Sequence, residues 1–247
     1  MQFRIIVTLA LLGFLFGCGG GANVQPKAQP HYTLGLSHLQ GGNPTLALKE
    51  FLKAVEENPK DHKVHAALAR AYQSKRAYEM AEKHYLKALE LSDNDPRYQN
   101  NLAALYISMG RWDQAITYFD LAASNLLFMR SELALMGKGY ALYKKGDYPA
   151  ALQSYREAEA IAPRLPPLHF HLGETYDAMG QVELARAAYE KALMFAPGYS
   201  EARYQLAVLL LKQKQLDEAK KELKILVEKD PLSDWGGKAA EFLKTMK

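Results

Sequence analysis

Small and large apolar residues recur along the chain with a period of 34. Six windows begin at Ala28, His62, Pro96, Glu132, Pro166 and Ser200. Position eight of each is small: Gly35, Ala69, Ala103, Gly139, Gly173 and Ala207. Position twenty is alanine throughout, at Ala47, Ala81, Ala115, Ala151, Ala185 and Ala219. Position twenty-four is large (Phe51, Tyr85, Phe119, Tyr155, Tyr189 and Leu223). Position twenty-seven is Ala54, Ala88, Ala122, Ala158, Ala192 and Leu226. Within a window the apolar positions fall at helical spacing, and Gly41-Gly42-Asn43, Gly110-Arg111, Gly146-Asp147 and Gly180-Gln181 interrupt them midway. Each window therefore predicts two antiparallel helices. The small residues let the pair approach closely, and the large ones fill the space between successive pairs.

One such pair cannot bury its own apolar face, so neighbours must stack. The pattern resembles the tetratricopeptide repeat (TPR). It predicts an all-α, right-handed α-solenoid of six TPR repeats over residues 28–61, 62–95, 96–129, 132–165, 166–199 and 200–233. Residues 234–247 carry Ala239, Phe242 and Leu243 at helical spacing and predict a capping helix. Proline closes four windows, at Pro59, Pro163, Pro197 and Pro231. The register breaks once, where Arg130 and Ser131 are inserted. There, residues 124–131 place Leu126-Leu127-Phe128-Met129 in what should be a polar connection. Two readings stay open: a longer helix that buries these side chains against the fourth repeat, or an exposed apolar patch or change in superhelix curvature that a partner uses.

The N-terminus follows a different pattern. Arg4 precedes an apolar run over residues 5–16. Twelve helical residues rise about 18 Å, against about 30 Å for a hydrocarbon core, so a signal-peptide core fits better than a span. Leu15-Phe16-Gly17-Cys18 follows, then three glycines. This resembles the lipobox of bacterial lipoproteins, although Phe16 is larger than the residue usual there. The resemblance implies a signal peptide over residues 1–17, a covalent lipid on Cys18 and a tether over residues 18–27. Acylation would anchor an otherwise soluble domain to a membrane. Gly19, in place of Asp, implies the periplasmic face of the outer membrane. No other cofactor is expected.

Composition adds little beyond exclusions. The 247 residues carry a net charge of +4, from 31 basic and 27 acidic side chains, too small an excess to indicate nucleic acid. Cys18 is the only cysteine, so no internal disulfide and no cysteine-rich metal site can form. The sequence has no dinucleotide fingerprint, P-loop, nucleophile elbow or H-E-x-x-H. His62 with His65, and His169 with His171, lack a third ligand at suitable spacing, so metal binding is not expected. Glu56-Glu57, Asp93 and Asp95 read as solvated turns, and an enzyme is not expected.

Recognition by the concave surface remains. In tetratricopeptide repeats, positions two, five, nine, twelve and thirteen of the first helix usually line the groove. Carried over, they give Lys63, Arg70, Gln73, Arg97, Asn100 and Ile107 in the early repeats, and Met136, Tyr140, Tyr143, Phe170, Tyr204 and Val208 in the later ones. For Met136 and Phe170, packing against adjacent helices is an equal alternative. Tyr32 and Leu36 stand where a chaperone-tail carboxylate clamp would need Lys and Asn, so that ligand is not expected.

Lipobox, tether, repeats and cap together resemble the type IV pilus pilotins of the Tgl, PilF and PilW kind. The opening helix and turn from Tyr32 to Asn43, and the altered junction running into Gly137-Lys138-Gly139-Tyr140, carry the closest likeness. The resemblance implies a monomeric outer-membrane lipoprotein that binds secretin subunits and promotes their membrane localisation and multimerisation. The alternative is a scaffold lipoprotein of another envelope machine, for polysaccharide export, secretion or cell-wall synthesis.

Overall fold

A computed structural model describes residues 28–246. The expected signal peptide (1–17), the lipidated Cys18 and the tether (18–27) lie outside the described residues. Among the described residues there are thirteen helices and no strand. Twelve pair in chain order: α1 (Ala28–Gln40) with α2 (Pro44–Glu57), α3 (His62–Ser74) with α4 (Tyr78–Leu91), and α5 (Pro96–Ser108) with α6 (Trp112–Ala123). The later pairs are α7 (Ser131–Lys145) with α8 (Tyr148–Ile161), α9 (Pro166–Ala178) with α10 (Val182–Phe195), and α11 (Ser200–Lys212) with α12 (Leu216–Lys229). The last helix, α13 (Asp234–Thr245), covers the open end: Trp235, Ala239 and Leu243 pack on Ala207, Leu223 and Leu226.

The periodic residues are the ones that hold each pair together. The alanines at position twenty are fully buried in all six repeats. Phe51, Tyr155 and Tyr189 lie so close to Gly35, Gly139 and Gly173 that a Cβ at any of these glycines would collide with the ring. Burying such a side chain contributes about 1.5–3 kcal/mol, which a helix pair needs because short helices are marginal alone.

The turn inside each repeat has one geometry. Its fifteenth residue is left-handed in every copy: Gly42, Gly110, Gly146 and Gly180, but also Arg76 (φ 58°) and Lys214 (φ 61°). Glycine adopts this conformation without penalty, whereas Arg and Lys are strained there. Four of the described helix starts carry a capping side chain, Asp147 among them, which accepts from the Ala150 N–H. Asp61 and Asp95 accept from the backbone N–H of Lys63 and Arg97, and Ser233 accepts from that of Gly236.

The connections between repeats carry a device that sequence reading missed. His65 Nε2 donates to the Pro59 carbonyl at 3.0 Å, and His169 Nε2 to that of Pro163 at 2.8 Å. Arg203 Nη2 donates to the Pro197 carbonyl at 2.8 Å. All three occupy position four, one repeat after a closing proline. Each satisfies a turn carbonyl just past the C-cap of the preceding helix and ties the new repeat to the old one.

The irregular connection is not a longer helix: α6 ends at Ala123 and α7 begins at Ser131. Phe128 is 8 % exposed and joins the core between α5, α6 and α7. Leu126, Leu127 and Met129 are 101, 86 and 93 % exposed. Of the two readings, burial against the fourth repeat is corrected for these three and holds for Phe128 alone. The short path is possible because Gly137 has no Cβ to meet the Phe119 ring, which brings α7 close against α6. Lys138–Asp120 and Lys145–Asp113 pairs bridge the same two helices.

The first helices of neighbouring repeats touch across the stack, α1 with α3, α5 with α7 and α7 with α9, while the second helices fan apart. The odd-numbered helices therefore line the concave side.

Candidate binding groove

The two ends of the concave side differ in chemistry. At the N-terminal end, Arg70 and Gln73 of α3 line a polar recess of about 480 Å³ with Ser74, Arg76, Tyr78 and Ser108. Gln73 also accepts a hydrogen bond from the buried Tyr85 hydroxyl at 3.3 Å. Tyr32 borders this end. Burial pushes its phenol up, Asp61 adds to that, and Arg70 and Arg97 pull against it.

Lys63 and Arg97 are exposed, but as second residues of their helices they sit at the edge where repeats connect rather than on the groove floor. Arg97 is held there by Asp95 at 2.5 Å, and the hydrogen bond from Arg97 keeps the Asp95 carboxyl below its ordinary range. Asn100 is half-buried, and its Oδ1 has no partner among the described residues. Ile107 is half-buried against the core of repeats two to four.

At the C-terminal end an aromatic wall replaces the basic one. Tyr140 packs on His171, with ring centroids 5.4 Å apart, and Tyr143 on Tyr148 at 5.7 Å. The Lys144 ammonium lies 5.2 Å from the Tyr140 ring and 5.6 Å from that of Tyr143. Both tyrosines remain half-exposed. Met136 is half-buried among Leu142, Leu168 and Leu172, so packing takes much of its surface. Val208 is also half-buried.

Phe170 needs correction. It is 3 % exposed, and its ring lies 5.2 Å from Tyr199 and 6.0 Å from Tyr189, so it belongs to the core between α9, α10 and α11. Tyr204 turns towards the cap, 5.2 Å from Trp235, and packs there instead of standing free in the groove.

Sequence reasoning missed three carboxylates: Glu174, Asp177 and Glu201. Glu174 accepts from His171 Nδ1 at 2.8 Å, and Asp177 pairs with Lys212 of the next repeat at 2.7 Å. Burial, reinforced by Glu174, raises the Glu201 carboxyl above its ordinary value. These residues occupy positions nine and twelve of the fifth repeat and position two of the sixth. The register rule that picked out Tyr140 and Tyr143 finds them too, once it is applied to every repeat. The groove thus runs from a basic, hydrogen-bonding end to an aromatic end edged with acids. Such a surface suits an extended or amphipathic protein segment, with aromatic contact area at low entropic cost.

An all-α solenoid of helix pairs with this residue pattern defines a class: the chain is a tetratricopeptide-repeat protein. Models described as tetratricopeptide repeat match residues 32–96, 84–117 and 178–241, and one described as TPR repeat matches residues 139–180.

Among solved structures, the chain is similar to PilW, described as a widely conserved type IV pilus biogenesis factor: 19 % identity, TM-score 0.78, 86 % of this chain and 98 % of that one. It is similar to PilF of Pseudomonas aeruginosa at 20 % identity and TM-score 0.72, over 87 % of this chain and 97 % of that one. At these identities the likeness carries the fold alone. A curated relative, the tetratricopeptide repeat and J domain-containing co-chaperone DNJ1 of Cryptococcus neoformans, is 33 % identical over 86 residues, or 35 % of this chain. The match spans only 16 % of that relative.

Proposed function

We propose that this protein is an outer-membrane lipoprotein that acts as a pilotin for the type IV pilus secretin. It works by recognition rather than catalysis. The observation that carries the reading is the aromatic wall of Tyr140 and Tyr143, half-exposed on the concave side and edged by Glu174 and Glu201. The near full-length likeness to PilW and PilF in fold supports it.

The lipid on Cys18 confines the groove to the membrane surface. That raises its effective concentration for a partner arriving at the same membrane. The aromatic end takes up an apolar or amphipathic segment of an unassembled secretin protomer, which shields it from aggregation. The basic end, around Arg70, orients the segment. Release follows when protomers bury the segment in one another.

A strain lacking the protein should hold secretin as monomers and make few or no pili, and normal multimers there would contradict the role. Cys18→Ala should lose outer-membrane fractionation while helical circular dichroism is unchanged. If the deletion leaves the secretin intact and disturbs polysaccharide export or cell-wall synthesis instead, the scaffold of another envelope machine takes its place.

A further inference from the structure

The turns within repeats and the connections between them lie on opposite edges of the solenoid. The first turn of α1 belongs to the connection edge, since His31 Nε2 is 3.9 Å from Glu57 Oε1 at the end of α2. The chain therefore enters the solenoid on that edge.

The four most exposed large hydrophobic side chains of the described residues also lie there. Leu126, Leu127 and Met129 sit between α6 and α7, and Leu232, 99 % exposed, sits between α12 and α13. Nothing in the fold uses the first three. The loop is held by buried Phe128, by the Phe128 N–H to the Asn125 carbonyl at 2.9 Å, and by the Leu127 N–H to Asn125 Oδ1 at 2.9 Å. Arg97 and Arg130 flank the loop, paired with Asp95 at 2.5 Å and Glu132 at 3.1 Å, and line one recess with Asp93, Asp95, Leu127, Phe128 and Met129. On the opposite edge the turns centre on Gly42, Arg76, Gly110, Gly146, Gly180 and Lys214, and the exposed large hydrophobics near them, Leu46, Met80, Leu184 and Leu216, are only 40–58 % exposed.

We propose that the connection edge is a membrane-facing surface: Leu126, Leu127 and Met129 enter the interfacial region of the bilayer that holds the lipid anchor, and the paired charges of Arg97, Asp95, Arg130 and Glu132 stay at its polar boundary. The inference rests on the reading of Cys18 as the lipid attachment. Nine residues lie between that cysteine and α1, and the ten Cα–Cα steps extend at most about 33–36 Å. A thirteen-residue helix is about 20 Å long, so the far edge lies that much deeper in solution. The anchor thus brings this edge to the bilayer first. Exposed leucine and methionine beside arginine is the composition that interfacial segments use. With one edge on the membrane, the groove axis lies along the surface and its mouth stays open to a protein inserting beside it.

The test uses the full lipidated chain in vesicles of phosphatidylethanolamine with a minority of phosphatidylglycerol, part of it brominated. Cys18 is the single cysteine and is blocked by lipid, so Leu127→Cys or Gln181→Cys takes one fluorophore at a known site. The probe at 127 should lose most of its emission to brominated lipid and the probe at 181 should lose little. Adding Leu126→Gln and Met129→Gln should restore emission at 127 while the protein still floats with the vesicles. Equal quenching at the two sites, or none at 127 in a protein that floats, overturns the membrane-facing edge and leaves the anchor standing. A chain that does not float overturns the anchor reading and the inference with it.

Discussion

The first three repeats and the last three share one skeleton and differ in the surface they turn inward. Tyr85 and Tyr155 are both buried beneath their repeats. The groove above the first carries Arg70 and Gln73, and the groove above the second carries Tyr140, Tyr143 and Glu174. Positions eight, twenty, twenty-four and twenty-seven hold the fold and hardly vary. The inward positions that stay at the surface, such as Arg70 and Tyr140, lie outside the core, so recognition chemistry is free to change there at low cost in stability.

The largest effects should come from the shared skeleton. Tyr85→Ala and Tyr155→Ala should each cost about 3–5 kcal/mol in urea unfolding, as for other buried rings cut to alanine. Similar losses would show that the halves are built alike, and a near-silent change in either would break the comparison. Gly137→Val comes next. Overpacking against Phe119 should cost about 1–3 kcal/mol and loosen the junction, so that the halves unfold in two steps. A single unchanged transition would mean the close approach of α6 and α7 does not couple them.

The αL positions give a smaller effect of opposite sign in each half. Arg76→Gly and Lys214→Gly should stabilise by about 1 kcal/mol, because they relieve the left-handed strain. A lower melting temperature in both would overturn that assignment.

The smallest expected effect is a pH slope set mainly by His84 in the first half, with His169 in the second half also held down by burial. Burial, helped by neighbouring His65, holds His84 down at about 4 against an ordinary 6.5. As pH falls, the unfolded chain takes the proton first. The stability contributed by neutral His84 is therefore full above about 6.5 and is lost progressively towards pH 4. His84→Gln should flatten that part of the stability–pH curve, and a curve unchanged by the substitution would contradict the assignment.

Much of the fold was legible because the 34-residue period records packing directly. Five of the six first helices begin at the residue that opens their window, and α7 begins one residue early, at Ser131. What the period could not show was where a non-periodic residue points. Phe170 occupies a groove position by number, yet its ring finds Tyr189 and Tyr199 and is drawn inward. His65 and His169 offered no metal geometry in sequence. Their partners are backbone carbonyls six residues earlier, which no side-chain motif records. The apolar run at 126–129 was ambiguous because three of its members are surface and one is core, a split that only the path of the chain decides.

In the proposed role, the aromatic half of the groove holds an unassembled secretin segment. The direct measurement is photocrosslinking in cells from a reactive residue placed at Tyr140, at Tyr143 or, on an outward helix, at Arg156. Crosslinks to secretin monomer from 140 and 143 and none from 156 are the predicted result. Secretin captured from 156, with nothing from 140 or 143 in cells that still assemble pili, would contradict it.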